Sequence, residues 1–281
     1  MRDGSYLGLS ATGFHRLAYT EWGERDAART VVCVHGLTRN GRDFDALAAA
    51  LAASGRRVAC PDVVGRGRSD WLADAAGYGY PQYLADMNAL VARLGVTEID
   101  WVGTSMGGLI GMMMAAQPKT PIRRLVINDV GPLVPLAALE RLATYLGRDP
   151  HFPDIDAAEA HIREIHAPFG SLSDVQWRHL TEHSVKRAED GGYRFRYDPR
   201  LKEALQTLPD ADVDLWPVWD AIRVPTLALR GAESDLLLPE TAAAMTDRGP
   251  KAEIVEIPGC GHAPALMDDA QIAIIRDWLQ Q

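Results

Sequence analysis

Short apolar runs alternate along the chain with longer stretches in which apolar residues recur at helical spacing. Continuous apolar runs of this length are typical of strands buried on both faces of a sheet. Such runs lie at Thr30–Val34, Arg57–Cys60, Ile99–Val102, Arg124–Asp129, Thr226–Arg230 and Glu253–Ile257. Helical spacing is found at Phe44–Ser54, Tyr80–Leu94, from the third run to about Gln117, and at Asp268–Leu279. This alternation predicts an α/β fold with a mostly parallel sheet and helices on both faces, and Gly13–Gly23 predicts an edge strand.

The alternation stops between residues 133 and 219. This segment has helical periodicity and turn signals, but no convincing buried strand. Prolines at positions 150, 153, 168 and 209 separate its candidate helices, which are Leu136–Leu146, Ala157–His166, Asp174–Arg187 and Leu201–Thr207. We therefore predict an all-helical cap (133–219) inserted into one α/β core domain made of residues 1–132 and 220–281.

Composition excludes several classes of partner. The formal net charge of −9 and the pI near 5.4 argue against binding to nucleic acid or to an anionic membrane surface. The chain has no apolar segment long enough to cross a bilayer, and its first residues do not resemble a signal peptide, so we expect a cytoplasmic protein. The three cysteines are an odd number without a Cys-x-x-Cys pair, which favours buried thiols in a reducing compartment.

The candidate chemistry starts at the end of the third apolar run, where Gly103-Thr104-Ser105-Met106-Gly107 forms a Gly-x-Ser-x-Gly motif. A strand followed at once by a helix predicts a nucleophile elbow, a turn so sharp that its serine adopts strained backbone geometry. We expect glycine at 103 and 107 because a side chain there would collide with the neighbouring strand and helix.

A serine nucleophile needs a general base, and the base needs an acid partner that orients it. His262 is the best candidate base, because it lies in a glycine-rich loop directly after the last predicted strand. Asp235 follows the preceding strand and completes the chain order Ser, Asp, His. Two alternatives remain open for the acid: Asp129, which ends the strand after the elbow strand, and Glu233, which lies two residues before Asp235.

Acyl transfer also needs two backbone N–H donors for the developing oxyanion. The N–H of Met106, directly after the serine, is one expected donor. The second is expected from Leu37 in His35-Gly36-Leu37, at the end of the first central strand. His35 itself is better explained as a structural hydrogen-bonding residue than as a second base. No metal or cofactor is expected. The glycine-rich loop at 65–69 is only superficially similar to a phosphate loop, because it lacks the Lys-Ser/Thr, and Arg66 and Arg68 are interpreted as solvated or structural.

Five motifs in this order resemble those of the α/β-hydrolase fold superfamily, over nearly the whole chain. They are His35-Gly36-Leu37, the Asp-x-x-Gly-x-Gly-x-Ser of Asp62–Ser69, Gly103–Gly107, the Gly-x-x-x-Asp of Gly231–Asp235, and Gly259-Cys260-Gly261-His262. The blocks His35–Phe44, Pro61–Trp71 and Leu125–Pro132 resemble bacterial serine carboxylesterases, some of which act on aliphatic polyesters and their oligomers. The resemblance implies hydrolysis of a small-molecule ester through an acyl-enzyme.

The substrate contacts are less well defined by the sequence. Candidates are His35, Arg39 beside the oxyanion loop, and Trp177 in the cap, and Arg178 is a further cation that could hold a carboxylate. The aromatic residues available to line a pocket in the cap are Phe152, Phe169, Trp177, Trp216 and Trp219. Two other functions stay open: a C–C bond hydrolase of ring-cleavage diketone products, and a ligand receptor that has lost catalysis. The oligomeric state is left open as well.

Overall fold

The structure is a computed structural model that describes residues 1–205 and 210–281. Its centre is an eight-stranded sheet in the order β1-β2-β4-β3-β5-β6-β11-β12. The strands of this sheet are β1 (Arg2–Ser10), β2 (Gly13–Trp22), β3 (Thr30–Val34), β4 (Arg57–Pro61), β5 (Ile99–Thr104), β6 (Ile122–Asn128), β11 (Thr226–Gly231) and β12 (Glu253–Ile257). From β4 to β12 all neighbouring strands are parallel, which confirms the predicted fold class.

The edge of the sheet differs from the prediction. The segment predicted as an edge strand forms β2, which lies second in the sheet, between β4 and β1 and antiparallel to both. The strand β1 lies outside it, with Leu7 and Leu9 exposed while Tyr6 packs inward. Because only one face of β1 is buried and that face includes Gly4 and Gly8, the strand has almost no apolar signal in the sequence.

Helices cover both faces of the sheet. The described helices are α1 (Asp45–Ala53), α2 (Tyr80–Leu94), α3 (Met106–Ala115), α4 (Leu136–Tyr145), α5 (Ile155–Ile165), α6 (Asp174–Ser184), α7 (Trp216–Trp219), α8 (Pro239–Asp247) and α9 (Asp269–Gln280). Alternate residues of β3 point to opposite faces, so Val31 joins one core cluster and Val32 the other. The first cluster includes apolar side chains of α1 and α9, and the second includes those of α2 and α3.

The sequence predicted an all-helical segment at 133–219, but the described part of this segment also contains strands. It contains α4, α5 and α6, but also two small antiparallel pairs: β7 (Leu133–Val134) with β10 (Val213–Asp214), and β8 (Val185–Arg187) with β9 (Tyr193–Phe195). Strands of two or three residues are too short to show alternation in a sequence. The predicted helix Asp174–Arg187 accordingly ends at Ser184, where β8 begins.

The last predicted helix of this segment, Leu201–Thr207, falls partly outside the described residues. A 3₁₀ helix covers Pro199–Leu205, and positions 206 and 207 of the prediction are not described. Among the described residues no helix is long and apolar enough to span a membrane. All three cysteines are free and buried, as expected.

The parallel arrangement brings the ends of several strands together. The carboxyl ends of β3, β5, β6, β11 and β12 lie at one edge of the sheet. Each is followed by one of the loops that carry the predicted site, namely those of His35, Ser105, Asp129, Asp235 and His262. In open α/β sheets this edge is where ligands bind.

Candidate active site

Ser105 lies in the sharp turn between β5 and α3. Its backbone has φ 53° and ψ −117°, a conformation that a residue with a side chain rarely adopts. Two backbone hydrogen bonds hold it there. The N–H of Ser105 donates to the carbonyl of Asn128 (3.0 Å), and the Ser105 carbonyl accepts from Leu109 (3.0 Å) in the first turn of α3. The strain is therefore supported by the sheet on one side and by the helix on the other.

Glycine is required on both sides of this serine. A Cβ at Gly107 would overlap the carbonyl oxygen of Val34 in β3. A Cβ at Gly103 would overlap the carbonyl of Gly107. The helix α3 thus begins in backbone contact with the sheet, as the sequence predicted for these two positions.

A chain of hydrogen bonds runs from Ser105 through His262 to Asp129. His262 Nε2 lies 3.0 Å from Ser105 Oγ, and His262 Nδ1 lies 2.8 Å from Asp129 Oδ2. The Asp129 side chain has no exposed surface, and that of His262 is 11% exposed. An Asp carboxylate only accepts hydrogen bonds, so it fixes the proton on Nδ1 and leaves Nε2 free to accept the serine proton.

The expectation that Asp235 orients His262 is therefore wrong. Its side chain is 52% exposed and forms a two-point ion pair with Arg141 of α4 (2.6 and 2.9 Å). The turn after β11 explains this orientation. The Ser234 side chain points inward and accepts hydrogen bonds from the N–H groups of Leu236 and Leu237 (both 3.1 Å). Asp235, which lies between Ser234 and Leu236, therefore points outward. The other alternative, Glu233, likewise makes no contact with His262 among the described hydrogen bonds.

Asp129 was the alternative partner for His262 in the sequence analysis. It lies at the end of the strand that follows the elbow strand. Its backbone is left-handed, with φ 56°. Oδ1 accepts the Gly231 N–H (2.8 Å), and Oδ2 accepts the Ser234 hydroxyl (2.6 Å) beside the His262 bond. The strand β6 lies next to β11 in the sheet, so a residue at its end reaches across to the histidine loop. These donors compensate for the burial of the carboxylate.

The histidine loop is anchored to the sheet by a residue that sequence reasoning missed. Asn128 donates from Nδ2 to the Pro264 carbonyl (2.8 Å) and to Thr104 Oγ1 (3.0 Å). The Gly261 N–H also donates to the Pro168 carbonyl (2.8 Å) in the inserted segment. An Asn directly before the strand-end Asp is a sequence signal, because buried amides at such positions need defined partners.

The two expected oxyanion donors lie beside the serine. Leu37, Ser105 and Met106 border one cavity of about 190 Å³. His35 braces the loop from inside: its Nε2 accepts the Val63 N–H (2.9 Å), and its Nδ1 lies 2.7 Å from the Gly36 carbonyl. Burial lowers the pKa of His35 to about 3, so the ring is neutral and its Nδ1–H donates. This is the structural role expected for His35, and both ring nitrogens are used in it.

The cavity over Ser105 is mostly apolar. Its wall combines core residues with residues of the inserted segment, and none of the described lining residues carries a charge. The lining side chains other than Ser105 are Leu37, Met106, Leu109, Val130 and Leu236 from the core, Val134, Leu139 and Leu142 from the insertion, and Tyr78, Tyr80 and Tyr83 from the start of α2. The three tyrosines form a cluster that is visible in the sequence, but they were not among the predicted lining residues. The aromatic candidates were taken from the cap, whereas these tyrosines precede the elbow.

The other substrate-contact candidates lie elsewhere. Trp177 is buried in the insertion beneath the Arg163 guanidinium and does not line the cavity. Arg39 is buried rather than solvated: Asp43 occupies its Nε and Nη2 (both 2.7 Å), and Nη1 lies 3.4 Å from His166 Nε2. Arg178 pairs with Asp156 at the surface (2.6 Å).

The aromatic residues expected in the cap also pack away from Ser105. Phe152 contacts Phe195, Phe169 stacks on His166, and Trp219 donates to the Arg248 carbonyl (3.0 Å). The cavity therefore takes its aromatic surface from the core side and its aliphatic surface from α4.

Among the described residues one group has the spacing of metal ligands, Asp45 with His179 and His183. It lies between α1 and α6, away from the Ser105 cavity. Arg42 already holds both oxygens of Asp45, from Nε at 3.0 and 2.8 Å. His179 Nε2 lies 3.1 Å from the Arg42 carbonyl. Asp45 and His179 therefore already have hydrogen-bond partners.

A strained serine at a strand–helix turn, a histidine hydrogen-bonded to it and a buried carboxylate at this edge of a parallel sheet define the class of an α/β hydrolase. The family model described as "Alpha/beta hydrolase family" matches residues 31–274, and the chain belongs to this family.

Individual relatives are similar to this chain in sequence and in structure. The chain is 48% identical over 274 residues to the 3-hydroxybutyrate-oligomer hydrolase of Cupriavidus necator, covering 95% of this chain and 93% of the relative. A solved hydrolase from Rickettsia typhi superposes with a TM-score of 0.94 at 32% identity, over 100% and 99% of the two chains. A solved α/β hydrolase from Novosphingobium aromaticivorans superposes with a TM-score of 0.88 at 36% sequence identity, and the match covers 99% of this chain and 98% of the other. By sequence and by structure, the chain is therefore grouped with hydrolases of this family.

Proposed function

We propose that the protein is a serine carboxylesterase that cleaves the ester bonds of short 3-hydroxybutyrate oligomers through an acyl-enzyme. The observation that carries the catalytic part is the hydrogen-bonded chain Ser105–His262–Asp129. The substrate class is supported by the 48% identity to the Cupriavidus necator oligomer hydrolase over almost the full length of both chains.

In the proposed mechanism Ser105 Oγ attacks the ester carbonyl carbon while His262 Nε2 takes its proton. Asp129 holds the imidazole in the required tautomer and stabilises the imidazolium that forms. The N–H groups of Leu37 and Met106 donate to the oxyanion, which then collapses as His262 protonates the leaving alcohol. Water, activated by the same imidazole, hydrolyses the acyl-enzyme and restores Ser105.

The cavity supports an uncharged acyl chain as the bound group. Its described lining is apolar except for Ser105 and the tyrosine hydroxyls, which suits a chain of methyl-bearing hydroxyacyl units. A C–C hydrolase of ring-cleavage products would require a cation for the substrate carboxylate. Arg39 is engaged by Asp43, so the ester reaction is favoured over that alternative.

The direct test is release of 3-hydroxybutyrate from its linear trimer, followed by chromatography, in wild type and in Ser105→Ala. We expect turnover by the wild type only. The methyl ester of the trimer should be cleaved with a similar kcat/KM, because no described lining residue is positioned to bind the terminal carboxylate.

Two results would separate the parts of this proposal. Turnover of p-nitrophenyl butyrate without turnover of the trimer would reject the substrate class and keep the esterase. Failure to cleave either compound would reject the esterase itself and favour a non-catalytic receptor.

A further inference from the structure

Arg66 is a fully buried guanidinium directly behind the active-site wall. It lies in the glycine-rich loop after β4 and has no exposed surface. Its Nε donates to the Leu37 carbonyl (2.9 Å), and its Nη1 donates to the Val64 carbonyl (2.8 Å) and to the Tyr83 hydroxyl (3.0 Å). Its Nη2 lies 3.6 Å from Met106 Sδ. The side chain is therefore structural, as one alternative from the sequence had it, but it is not solvated.

This arginine differs from its neighbour in the same loop. Arg68 forms ion pairs with Asp3 and Asp62 and is about one-third exposed. Arg66 has no carboxylate partner among the described residues: its contacts are carbonyls, a hydroxyl, a sulfur and the faces of two tyrosine rings. An arginine stays ionised inside a protein, and burying an ion without a counter-ion is unfavourable. A buried cation without an ionic partner is thus a feature that stability alone does not explain.

The contacts of Arg66 converge on the residues around Ser105. Leu37 and Met106 are the two expected oxyanion donors, and Tyr78 and Tyr83 line the same cavity. The guanidinium carbon lies 5.8 Å from the Tyr78 ring centroid and 5.1 Å from that of Tyr83. One rigid, planar group therefore ties together the oxyanion loop, the start of α3 and the tyrosine wall.

We propose that Arg66 is a positioning residue that holds the oxyanion hole in its working geometry. This inference rests on the proposed esterase function. The bond from Nε to the Leu37 carbonyl fixes the peptide plane that follows Leu37, and so restricts the movement of the residue that carries the N–H donor. The uncompensated positive charge lies behind both donors, where it stabilises negative charge that develops on the substrate oxygen. Its effect belongs to the transition state, since the ground-state ester carries no such charge.

The test is Arg66→Met, compared with Arg68→Met as the matched control in the same loop. For Arg66→Met we expect kcat on p-nitrophenyl butyrate to fall by about 10–100-fold, which is no more than the fall in kcat when one oxyanion donor is removed. The KM should change by less than about threefold. Arg68→Met should retain kcat within about twofold, because its partners Asp3 and Asp62 do not border the cavity.

Inhibitor binding distinguishes positioning from general damage. A trifluoromethyl ketone forms an oxyanionic adduct with a reactive serine, whereas the matching amide binds without one. In Arg66→Met the ketone should lose affinity by about the same factor as kcat, and the amide should bind as in the wild type. A kcat equal to that of Arg68→Met, or equal losses for ketone and amide, would overturn the proposal.

A second variant covers the case in which Arg66→Met does not fold. Arg66→Lys keeps the charge but cannot bond Leu37, Val64 and Tyr83 at once, so we expect an intermediate loss of about 5–20-fold in kcat. Wild-type activity in a folded Arg66→Lys protein would reject the positioning role. If the wild type itself has no esterase activity, the proposed function fails first.

Discussion

The substitution Asp129→Asn tests the identity of the acid most sharply, because the surrounding hydrogen bonds determine what the amide does. Oδ1 accepts from the Gly231 N–H, and Oδ2 accepts from the Ser234 hydroxyl and from His262 Nδ1. An amide NH2 placed toward Gly231 would oppose a backbone donor. We therefore expect the NH2 to face His262, which turns Nδ1 into an acceptor and moves the ring proton to Nε2.

A histidine with its proton on Nε2 cannot accept the proton of Ser105. For this change of tautomer we expect kcat to fall by about 10⁴-fold, or ~5.5 kcal/mol of transition-state stabilisation, while the thermal unfolding midpoint changes only moderately. The assay is steady-state hydrolysis of p-nitrophenyl butyrate, with thermal denaturation of each variant as the check on folding.

Asp235→Asn is the matched control, because it makes the same chemical change at the position that the motif order favours. It removes only a half-exposed ion pair with Arg141, which is worth about 0–1 kcal/mol, so kcat should stay within about twofold of wild type. The reasoning is refuted if Asp129→Asn keeps more than a tenth of wild-type kcat, or if Asp235→Asn loses more than a hundredfold.

Three further predictions concern the turn, the cavity and the acid stability. Gly107→Ala should lower the free energy of unfolding, measured in urea, by more than about 3 kcal/mol, because the added Cβ would overlap the Val34 carbonyl. The control Gly79→Ala, where a Cβ meets only ordinary contacts, should lower it by about 1 kcal/mol, and equal losses in the two variants would contradict the turn argument. Leu142→Ala should enlarge the α4 side of the cavity and raise the ratio of kcat/KM for the p-nitrophenyl hexanoate over the butyrate by about tenfold, whereas an unchanged ratio would show that α4 does not border the bound acyl chain. Burial lowers the pKa of His35 to about 3, so between about pH 3 and pH 6.5 the unfolded chain binds up to one proton more than the folded chain, and stability should fall as the pH drops through this range. His35→Gln should reduce this slope by up to one proton, about 1.4 kcal/mol per pH unit, and an unaltered slope would count against the neutral, buried ring.

The sheet, the serine turn and the histidine that contacts Ser105 could be predicted from the sequence because each depends on local information. The apolar runs predict β3 to β12 of the main sheet, and glycines 103 and 107 mark the backbone contacts that the turn requires. His262 follows directly from its place after the last strand. Short-range chemistry of this kind is visible in one sequence.

The carboxylate that contacts His262 was predicted incorrectly because its position depends on a contact between distant segments. Motif order favoured Asp235, but the inward turn of Ser234 after β11 directs position 235 to the surface. Which of two strand-end carboxylates faces the histidine depends on the order of strands in the sheet, where β6 lies beside β11. The spacing of residues along the sequence does not determine the order of the strands in the sheet.

The environment of the buried arginines is hard to predict from the sequence for a physical reason. Arg39 and Arg66 look like surface residues in a sequence because charged side chains are rarely fully buried. Here Arg39 finds Asp43 four residues later, and Arg66 finds carbonyls and tyrosine rings from separate segments. Partners of that kind are assembled only by the tertiary fold.

Rapid acid quenching during turnover of the 3-hydroxybutyrate trimer, followed by intact-mass and peptide mass spectrometry, would detect the acyl-enzyme on Ser105 itself. We expect a hydroxyacyl adduct on the peptide that contains Ser105, at higher occupancy when an activated ester with a good leaving group is used in excess, because acylation then outpaces deacylation. We expect no adduct in Ser105→Ala. An adduct on another residue, or turnover that persists in Ser105→Ala, would contradict this mechanism.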